Sequence, residues 1–385
     1  MSADYQYIDC SEQLAEFCGK IQNAGYCAID TEFVREKTYY PILALIQIAS
    51  EKHLACVDPL VIDNFEPLVS LIQNPNLIKV FHSPSQDIEV LFQQFSHMPQ
   101  PIFDTQLAAA VLGYDHQIGY ADLVNQITGV KLEKKHTRAN WNRRPLSQDE
   151  IDYAMDDVRY LLPVYQTLKT ELENKKRYAW IENDLIAMTS ISNYQVETAN
   201  LWRRLKGVQK LKGVELQIAR YLCEWREQKA QQKNLPRRWI VKDDLIIDVA
   251  RLKPSKLSDL DAIREVSEKF IQRYGDTLMR LVTTAQNTPP KDWPSHEAKN
   301  SLSTHQQALG DCLMALCRVF AEDNQIALAT LATRKDIDNL ITNRKNSRLS
   351  QGWRFDMAGE KLLDFIYGQA VLGVSNNKIQ FNTID

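Results

Sequence analysis

The sequence predicts an α/β domain with a mixed sheet, followed by an all-α region. Apolar runs of strand length occur only in the first part of the chain, at residues 25–30, 42–49, 52–57, 77–82 and 101–104. The first three runs are separated by short turns and fit an antiparallel meander. The last two alternate with helical patterns and fit parallel additions to the same sheet. Beyond about residue 195 no strand pattern recurs, and helical patterns with polar breaks take over.

Two acidic residues follow the first apolar run. Asp30 and Glu32 flank Thr31 directly after residues 26–29. Because side chains alternate along a strand, both acids lie on one face and Thr31 points away. Two carboxylates this close repel each other unless a cation lies between them, and hard oxygen ligands suit Mg²⁺ or Mn²⁺. A strand end that turns into solvent is the plain alternative, which the tripeptide alone leaves open.

Another acidic residue follows the fourth apolar run. Ser83 is predicted as a helix N-cap, Pro84 as the first helical residue and Gln86 as the partner that completes a capping box. This assignment places Asp87 in the first helical turn. An acid there can simply complement the helix dipole, so Asp87 by itself does not indicate a site.

A second capping box, at residues 147–150, begins a further acidic segment. Tyr153 and Asp157 are four residues apart on this predicted helix and share a face, whereas Asp156 is rotated away by about 100°. A phenol beside a carboxylate can form a structural hydrogen bond, or it can hold a water molecule against a metal-bound phosphate. Pro163 is expected to kink or restart the helix that follows.

Together, the three segments resemble the exonuclease motifs of the DEDD 3′-to-5′ exonucleases. The resemblance is to the subtype with tyrosine in the third motif, because Tyr153 is present and residues 139–160 contain no histidine. The flanking segments at residues 81–87, 103–108 and 160–163 are similar to the bacterial ribonuclease D family in particular. The match runs from residue 5 to about residue 370.

The resemblance implies a ribonuclease-H-like exonuclease domain followed by two all-α helical bundles. The implied boundaries are residues 1–195 for the exonuclease domain, 205–288 for a first helicase-and-ribonuclease-D C-terminal (HRDC) domain, 295–371 for a second HRDC-like domain and 372–385 for a tail. Asp30 and Glu32 would lie on the first strand, Asp87 on the helix after the fourth strand, and Tyr153 and Asp157 on the last helix.

The resemblance also implies a chemistry. Two divalent cations, Mg²⁺ or Mn²⁺, would be held by Asp30, Glu32, Asp87 and Asp157, and Tyr153 would orient the attacking water. The implied reaction releases nucleoside 5′-monophosphates from the 3′ end of RNA, with tRNA precursors as substrate. A DNA exonuclease of repair or proofreading type would use the same five residues. A non-catalytic RNA-binding protein is the remaining alternative.

The composition fits a soluble cytoplasmic protein. The 385 residues favour two or three domains, and no stretch reaches the ~18 apolar residues of a membrane helix. The first residues lack a basic region followed by an apolar one, so no signal peptide is expected. Seven scattered cysteines form neither a disulfide framework nor a zinc pattern, which favours free thiols in a reducing compartment. A monomer without membrane contacts is expected.

Positive charge is concentrated between Trp202 and Trp239, although the net charge of the chain is −3. Eleven basic residues in this stretch outnumber three acidic ones. Such a run of basic residues usually forms a solvated helix face. In a chain that also has a nuclease site, it favours a surface that binds along the phosphates of a nucleic-acid backbone. The predicted RNA contacts are Arg220, Arg226, Lys229, Lys233, Arg237 and Arg238.

The C-terminal half is predicted to contain a helix at residues 213–233, a second from Asp243 or Asp244 to Ala250, a linker at 288–294 and a helical block at 302–370. No function is predicted for residues 372–385.

Several aromatic and basic residues allow two interpretations. Tyr39 and Tyr40 can line a base-stacking channel or pack within a surface loop. His82 is predicted to be structural. A polar loop is a weaker candidate for substrate contact through His136, Arg138, Trp141, Arg143 and Arg144.

Overall fold

The structure is a computed structural model that describes residues 5–133, 139–263, 266–296, 302–342 and 347–384. The chain divides into two compact units. The first unit comprises residues 1–33, 43–191 and 300–385, and the second comprises residues 34–42 and 192–299. The predicted domain boundaries at residues 195, 205, 288 and 295 stay predictions. Within the described residues, no helix is both long enough and apolar enough to cross a membrane.

A mixed sheet forms the centre of the first unit, as predicted, and it has six strands. Its strands are β1 (Gln6–Ile8), β2 (Tyr26–Val34), β3 (Ile42–Ala49), β4 (Leu54–Val57), β5 (Ile78–Phe81) and β6 (Ile102–Asp104), in the spatial order β1-β4-β3-β2-β5-β6. The β3–β4 pair is antiparallel, whereas β1 is parallel to β4, β2 to β5, and β5 to β6. Strand β1 was not predicted, because three residues are too few to show a period.

The missed strand shifts the predicted positions of the acids by one strand. Asp30 and Glu32 lie on the second strand instead of the first, and Asp87 follows the fifth strand instead of the fourth. Strand β2 also continues to Val34, so the two acids lie within a strand and not at its end.

In the described residues before 190, the first unit has eight helices. They are α1 (Ser11–Ile21), α2 (Glu66–Gln73), α3 (Ser85–Phe95), α4 (Thr105–Leu112), α5 (Tyr120–Thr128), α6 (Gln148–Arg159), α7 (Leu161–Asn174) and α8 (Tyr178–Met188). Tyr160 ends α6 and begins α7, which confirms that the helix restarts near Pro163. The helix of Tyr153 and Asp157 is therefore not the last one, because α7 and α8 follow it.

The two predicted capping boxes have different outcomes. The box of α6 is confirmed, because the Ser147 hydroxyl accepts from the Glu150 N–H and the Glu150 carboxylate accepts from the Ser147 N–H. The prediction of a capping box before α3 is wrong. Ser83 adopts a φ of 57°, and its N–H donates to Asp104 Oδ1 at 2.9 Å, so the helix begins only at Ser85. Asp87 still lies in the first turn of α3.

The first unit also contains the C-terminal part of the chain. Its elements are α13 (Thr304–Asp323), α14 (Leu328–Leu331), α15 (Arg334–Thr342), α16 (Gly352–Arg354), a π-helix (Phe355–Gly359), α17 (Glu360–Ile366), β7 (Ala370–Ser375) and β8 (Lys378–Thr383). Helix α16 packs on α8. The Trp180 and Trp353 rings stack with centroids 4.7 Å apart, and Arg354 Nη1 lies 3.2 Å from Asp184 Oδ2.

The β7–β8 hairpin contradicts the expectation that no strand recurs after residue 195. The hairpin turns at Asn376 and Asn377, whose φ values are 52° and 59°. Positive φ at both central residues is the geometry of the type I′ turn, and asparagine is among the residues that adopt it most readily. The Asn-Asn pair between two short apolar runs was therefore the sequence signal for this hairpin.

The second unit is a helical bundle. Its helices are α9 (Val214–Lys233), α10 (Arg237–Ile240), α11 (Asp243–Leu252) and α12 (Glu268–Gln286), packed around a core that includes Leu222, Ile246 and Leu278. The two helices predicted at 213–233 and from 243 or 244 are confirmed.

Tyr39 is held inside the second unit. Its N–H donates to Asn234 Oδ1 at 3.1 Å, its hydroxyl donates to Glu227, and the Arg237 guanidinium lies 5.0 Å from its ring centroid. Tyr39 therefore packs within a surface loop, which is one of the two interpretations given for it. Tyr40 is 38% exposed.

Arg144 is a structural residue in the first unit. Asp58 is buried, and Arg144 Nη2 donates to Asp58 Oδ1 at 2.7 Å and to the Ala44 carbonyl at 2.6 Å. Burial alone would raise the pKa of the Asp58 carboxyl, but hydrogen bonds from Arg144 and Tyr7 outweigh it and hold that pKa below its usual value. The substrate contact considered for Arg144 is therefore not supported. His136 and Arg138 of the same loop lie outside the described residues.

Replacing Arg144 by methionine should destabilise the protein by about 3–5 kcal/mol at pH 7, because it leaves a buried carboxylate without its partner. A folded-state pKa below the unfolded value gives stability that is present above about pH 4 and is lost at lower pH. The difference in unfolding free energy between wild type and Arg144→Met should therefore shrink as the pH falls below about 4. Denaturant unfolding at a series of pH values measures it.

Arg143→Gln is the matched control. Arg143 pairs with Glu150 but its side chain is 55% exposed, so its loss should cost no more than about 1 kcal/mol. Equal costs for both variants would contradict the structural role of Arg144.

Candidate active site

Asp30 and Glu32 lie on one face of β2, and Thr31 lies on the other, as predicted. Both acids are half-buried, and Thr31 is buried. Strand β2 is bordered by β3 on one side and β5 on the other, so its backbone is fixed along both edges. The two carboxylates are therefore presented from an inner strand of the sheet.

Asp87 is held against this strand by Thr31. The Thr31 hydroxyl donates to Asp87 Oδ1 at 2.6 Å, and both residues are buried. Thr31 had no predicted role beyond separating the two acids. The hydrogen bond shows that Thr31 orients the third carboxylate, which α3 carries.

Helix α6 contributes Tyr153 and Asp157, both half-buried. The Tyr153 ring stacks on buried Trp141, with centroids 6.4 Å apart and planes 24° apart. The Tyr120 hydroxyl donates to the backbone carbonyl of Asp156 at 2.8 Å and so fixes the turn that carries Asp157. Trp141 and Tyr120 therefore position α6, a role that neither was predicted to have.

The acids lie close enough together for their charges to act on one another. Burial raises the pKa of Asp30 well above its ordinary value, and the charges of Asp87, Asp157 and Glu32 raise it further. Burial and the charges of Asp157 and Asp87 raise the pKa of Glu32 to about 8. The pKa of Asp157 is raised by burial and by the charges of Asp156 and Asp87. The structure thus brings together the four carboxylates that lie far apart in sequence.

Tyr153 belongs to the same electrostatic cluster. Burial, followed by the charges of Asp157, Glu32 and Asp30, raises its pKa to about 12. The phenol therefore stays protonated at neutral pH and can donate a hydrogen bond. It cannot serve as a base there.

The donor set fits divalent cations. All four groups are hard oxygen ligands, and a cation would offset the repulsion that raises their pKa values. In the described part of the chain, no three acidic, histidine or cysteine side chains are already grouped as a metal-ligand set.

Comparison with known proteins agrees with this geometry. Residues 5–173 match the 3′–5′ exonuclease domain family, and residues 215–282 match the HRDC domain family. Ribonuclease D of Granulibacter bethesdensis is 35% identical over 380 residues, which cover 98% of this chain and 96% of that protein. Ribonuclease D of Zymomonas mobilis is 34% identical over 383 residues, covering 98% of each chain.

This chain belongs to the ribonuclease D family. Among solved structures it is similar to Escherichia coli RNase D, described as an exoribonuclease involved in structured RNA processing. The TM-score is 0.84 with 31% sequence identity, covering 94% of this chain and 99% of that one. The predicted fold class and family resemblance are thereby confirmed.

Two further residues support the site of this ribonuclease D family member. Asp104 is buried and accepts from the N–H groups of Ser83 and Gln106, each at 2.9 Å, which holds the loop that leads to α3. His82 is structural, as predicted. Its Nδ1 lies 2.9 Å from Thr105 Oγ1 and its Nε2 lies 3.1 Å from the Ile118 carbonyl, and burial lowers its pKa to about 4.

The predicted RNA contacts all lie in the second unit, and the structure removes one of them. Arg226 is 7% exposed, donates to the Val241 carbonyl at 3.0 Å and pairs with Asp243 at 2.7 Å. It is a core ion pair and is not available to RNA. The prediction for Arg226 was wrong because its partner lies seventeen residues away in sequence.

The other five predicted RNA contacts are accessible to different degrees. Arg220, Lys229 and Lys233 are half-buried, and the Lys233 ammonium donates to the Tyr274 hydroxyl at 2.8 Å. Arg237 and Arg238 are exposed, although Arg237 is paired with Glu227. Their contact with RNA stays a prediction.

Replacing Asp30 by asparagine should stabilise the protein in the presence of a chelator, because it removes one charge from a repelling cluster. The same variant should lose the stabilisation that Mg²⁺ or Mn²⁺ gives to wild type, which is about 2.7 kcal/mol at a hundredfold excess over Kd. Thermal unfolding with and without cation measures both effects. Asp149→Asn, at an exposed acid on the same helix as Asp157, is the control and should show neither effect.

Thr31→Val should weaken cation binding roughly 10–100-fold, since it removes the hydrogen bond that orients Asp87 while preserving side-chain volume. Thr31→Ser should restore most of the affinity. Calorimetric titration with Mn²⁺ in the absence of RNA measures the effect. Equal affinities for the valine and serine variants would mean that the Thr31 hydroxyl does not orient the ligand.

Proposed function

We propose that this protein is a 3′-to-5′ exoribonuclease that removes nucleotides from the 3′ ends of tRNA precursors and other small structured RNAs. The single observation that supports this most strongly is the convergence of Asp30, Glu32, Asp87 and Asp157, with Tyr153 beside them. The likeness to E. coli RNase D, an exoribonuclease involved in structured RNA processing, favours RNA over DNA.

The proposed site uses two divalent cations, Mg²⁺ or Mn²⁺. When bound, they would stabilise the entering and leaving oxygens of an in-line displacement at phosphorus. Asp30 would be shared between the two cations, Glu32 and Asp157 would complete the position nearest the attacking water, and Asp87 would support the other position. The carboxylates act as ligands in this proposal and transfer no proton.

Tyr153 has a separate role in the proposal. Its raised pKa keeps the hydroxyl protonated, so it can donate a hydrogen bond that orients the attacking water. Stacking on Trp141 fixes the ring. Water adds to the terminal phosphodiester, the 3′ oxygen of the preceding nucleotide leaves, and the product is a nucleoside 5′-monophosphate.

We further propose that the second unit binds RNA through accessible basic residues, Arg220, Lys229, Lys233, Arg237 and Arg238, and that the protein acts as a monomer in the cytoplasm. Free thiols at all seven cysteines support a reducing compartment.

The experiment that tests the function uses paired RNA and DNA oligonucleotides that carry a 3′ overhang and a 5′ label. The protein should shorten the RNA one nucleotide at a time from the 3′ end. Excess chelator should abolish the reaction and added Mg²⁺ or Mn²⁺ should restore it. Undiminished hydrolysis in chelator would refute the metal-dependent mechanism, and faster hydrolysis of DNA would reassign the enzyme to DNA.

Tyr153→Phe should retain cation binding and lose roughly 10²–10⁴-fold in kcat, because only the hydroxyl that orients water is removed. Single-turnover hydrolysis measures the rate, and cation-induced stabilisation shows that the ligands are intact. Full activity in Tyr153→Phe would assign the phenol a structural role.

A further inference from the structure

Trp239 is an exposed aromatic residue within the basic part of the second unit. It lies on the short helix α10 and is 60% exposed, whereas the next residue, Ile240, is buried in the core and anchors the helix. An exposed indole buries little apolar surface on folding, so it contributes little to the stability of the fold. The flat face of an indole is, however, a good surface for a stacked nucleobase.

Positive charge lies on either side of Trp239. The Arg238 side chain is 75% exposed, and Asp243 Oδ2 lies 3.7 Å from its guanidinium. The other oxygen of Asp243 is taken by Arg226 at 2.7 Å. Arg238 therefore keeps N–H donors for a phosphate. Lys242 is also exposed and lies three residues beyond Trp239.

A cavity of about 510 Å³ adjoins α10. Arg238 and Lys242 line it together with Phe270, Asp244 and Asp248. A phosphate cannot approach the two carboxylates, but the exocyclic amino group of a base can donate to them. The lining thus matches the two parts of a nucleotide, with the basic residues suited to the phosphate and the acidic residues to the base edge.

We propose that Trp239 stacks against an unpaired base of single-stranded RNA while Arg238 and Lys242 contact the flanking phosphates. A duplex is not the occupant, since the faces of its bases are already stacked on their neighbours. This inference rests on the proposed function, because it assigns the RNA-binding surface of that enzyme.

The test measures the affinity of the full chain for a 5′-labelled single-stranded oligoadenylate of about twelve nucleotides, by fluorescence anisotropy in chelator to prevent hydrolysis. Trp239→Ala should weaken binding roughly tenfold, within the range measured for one base stacked on an aromatic residue. Trp239→Phe should retain most of the affinity. Tyr367→Ala is the control, because it removes another exposed aromatic ring, from the first unit.

A blunt RNA duplex of the same length separates stacking from general charge attraction. Trp239→Ala should leave duplex affinity unchanged, whereas Arg238→Gln should weaken binding to both RNAs. Equal affinities of Trp239→Ala and Tyr367→Ala for the single strand would overturn the proposal. An equal loss of affinity for both RNAs in Trp239→Ala would also overturn it. Release of mononucleotides by wild type, measured in parallel with Mg²⁺, reports on the proposed function independently.

Discussion

Repulsion among four carboxylates is the interaction on which the rest of this structure depends. Burial and the charges of neighbouring acids raise the pKa values of Asp30, Glu32 and Asp157, so bringing these acids together with Asp87 costs free energy that packing elsewhere must offset. The inner position of β2 in the sheet and the capping box of α6 supply rigid supports. A cation bound at these carboxylates would offset this cost, because a ligand that binds only the folded state stabilises that state.

Hydrogen bonds from neighbouring groups keep the acids in place. The Thr31 hydroxyl orients Asp87, and Asp104 accepts from Ser83 in the loop that precedes α3. The Tyr120 hydroxyl fixes the backbone of α6, and Trp141 packs on Tyr153. Each of these groups positions an acid or a helix of the proposed site. They explain how the first unit can hold acids from three separate elements in one place.

The five proposed site residues could be predicted from sequence because each lies in a short local pattern. Alternation along one strand places Asp30 and Glu32 together, and a four-residue spacing places Tyr153 beside Asp157. Their convergence required the family resemblance, since local periodicity does not reveal strand order. The roles of Thr31 and Asp104 depend on partners 56 and 21 residues away, which no local pattern reveals.

Two of the wrong predictions, those for Ser83 and Arg226, also depend on partners that lie far away in the sequence. Ser83 has the residue type of an N-cap, but its bond to Asp104 fixes it in the left-handed region. Arg226 has the charge expected of an RNA contact, but Asp243 holds it in the core. Strand β1 is too short to show a period. Only the C-terminal hairpin had a readable local signal, the Asn376-Asn377 turn.

The central claim is that the four carboxylates hold two divalent cations. Anomalous diffraction at the manganese edge, from crystals of the full chain grown with Mn²⁺ and a short RNA, tests it most directly. The account predicts two anomalous peaks about 3.5–4 Å apart, contacted by Asp30, Glu32, Asp87 and Asp157. No peak at these carboxylates, with Mn²⁺ bound elsewhere on the protein, would contradict it.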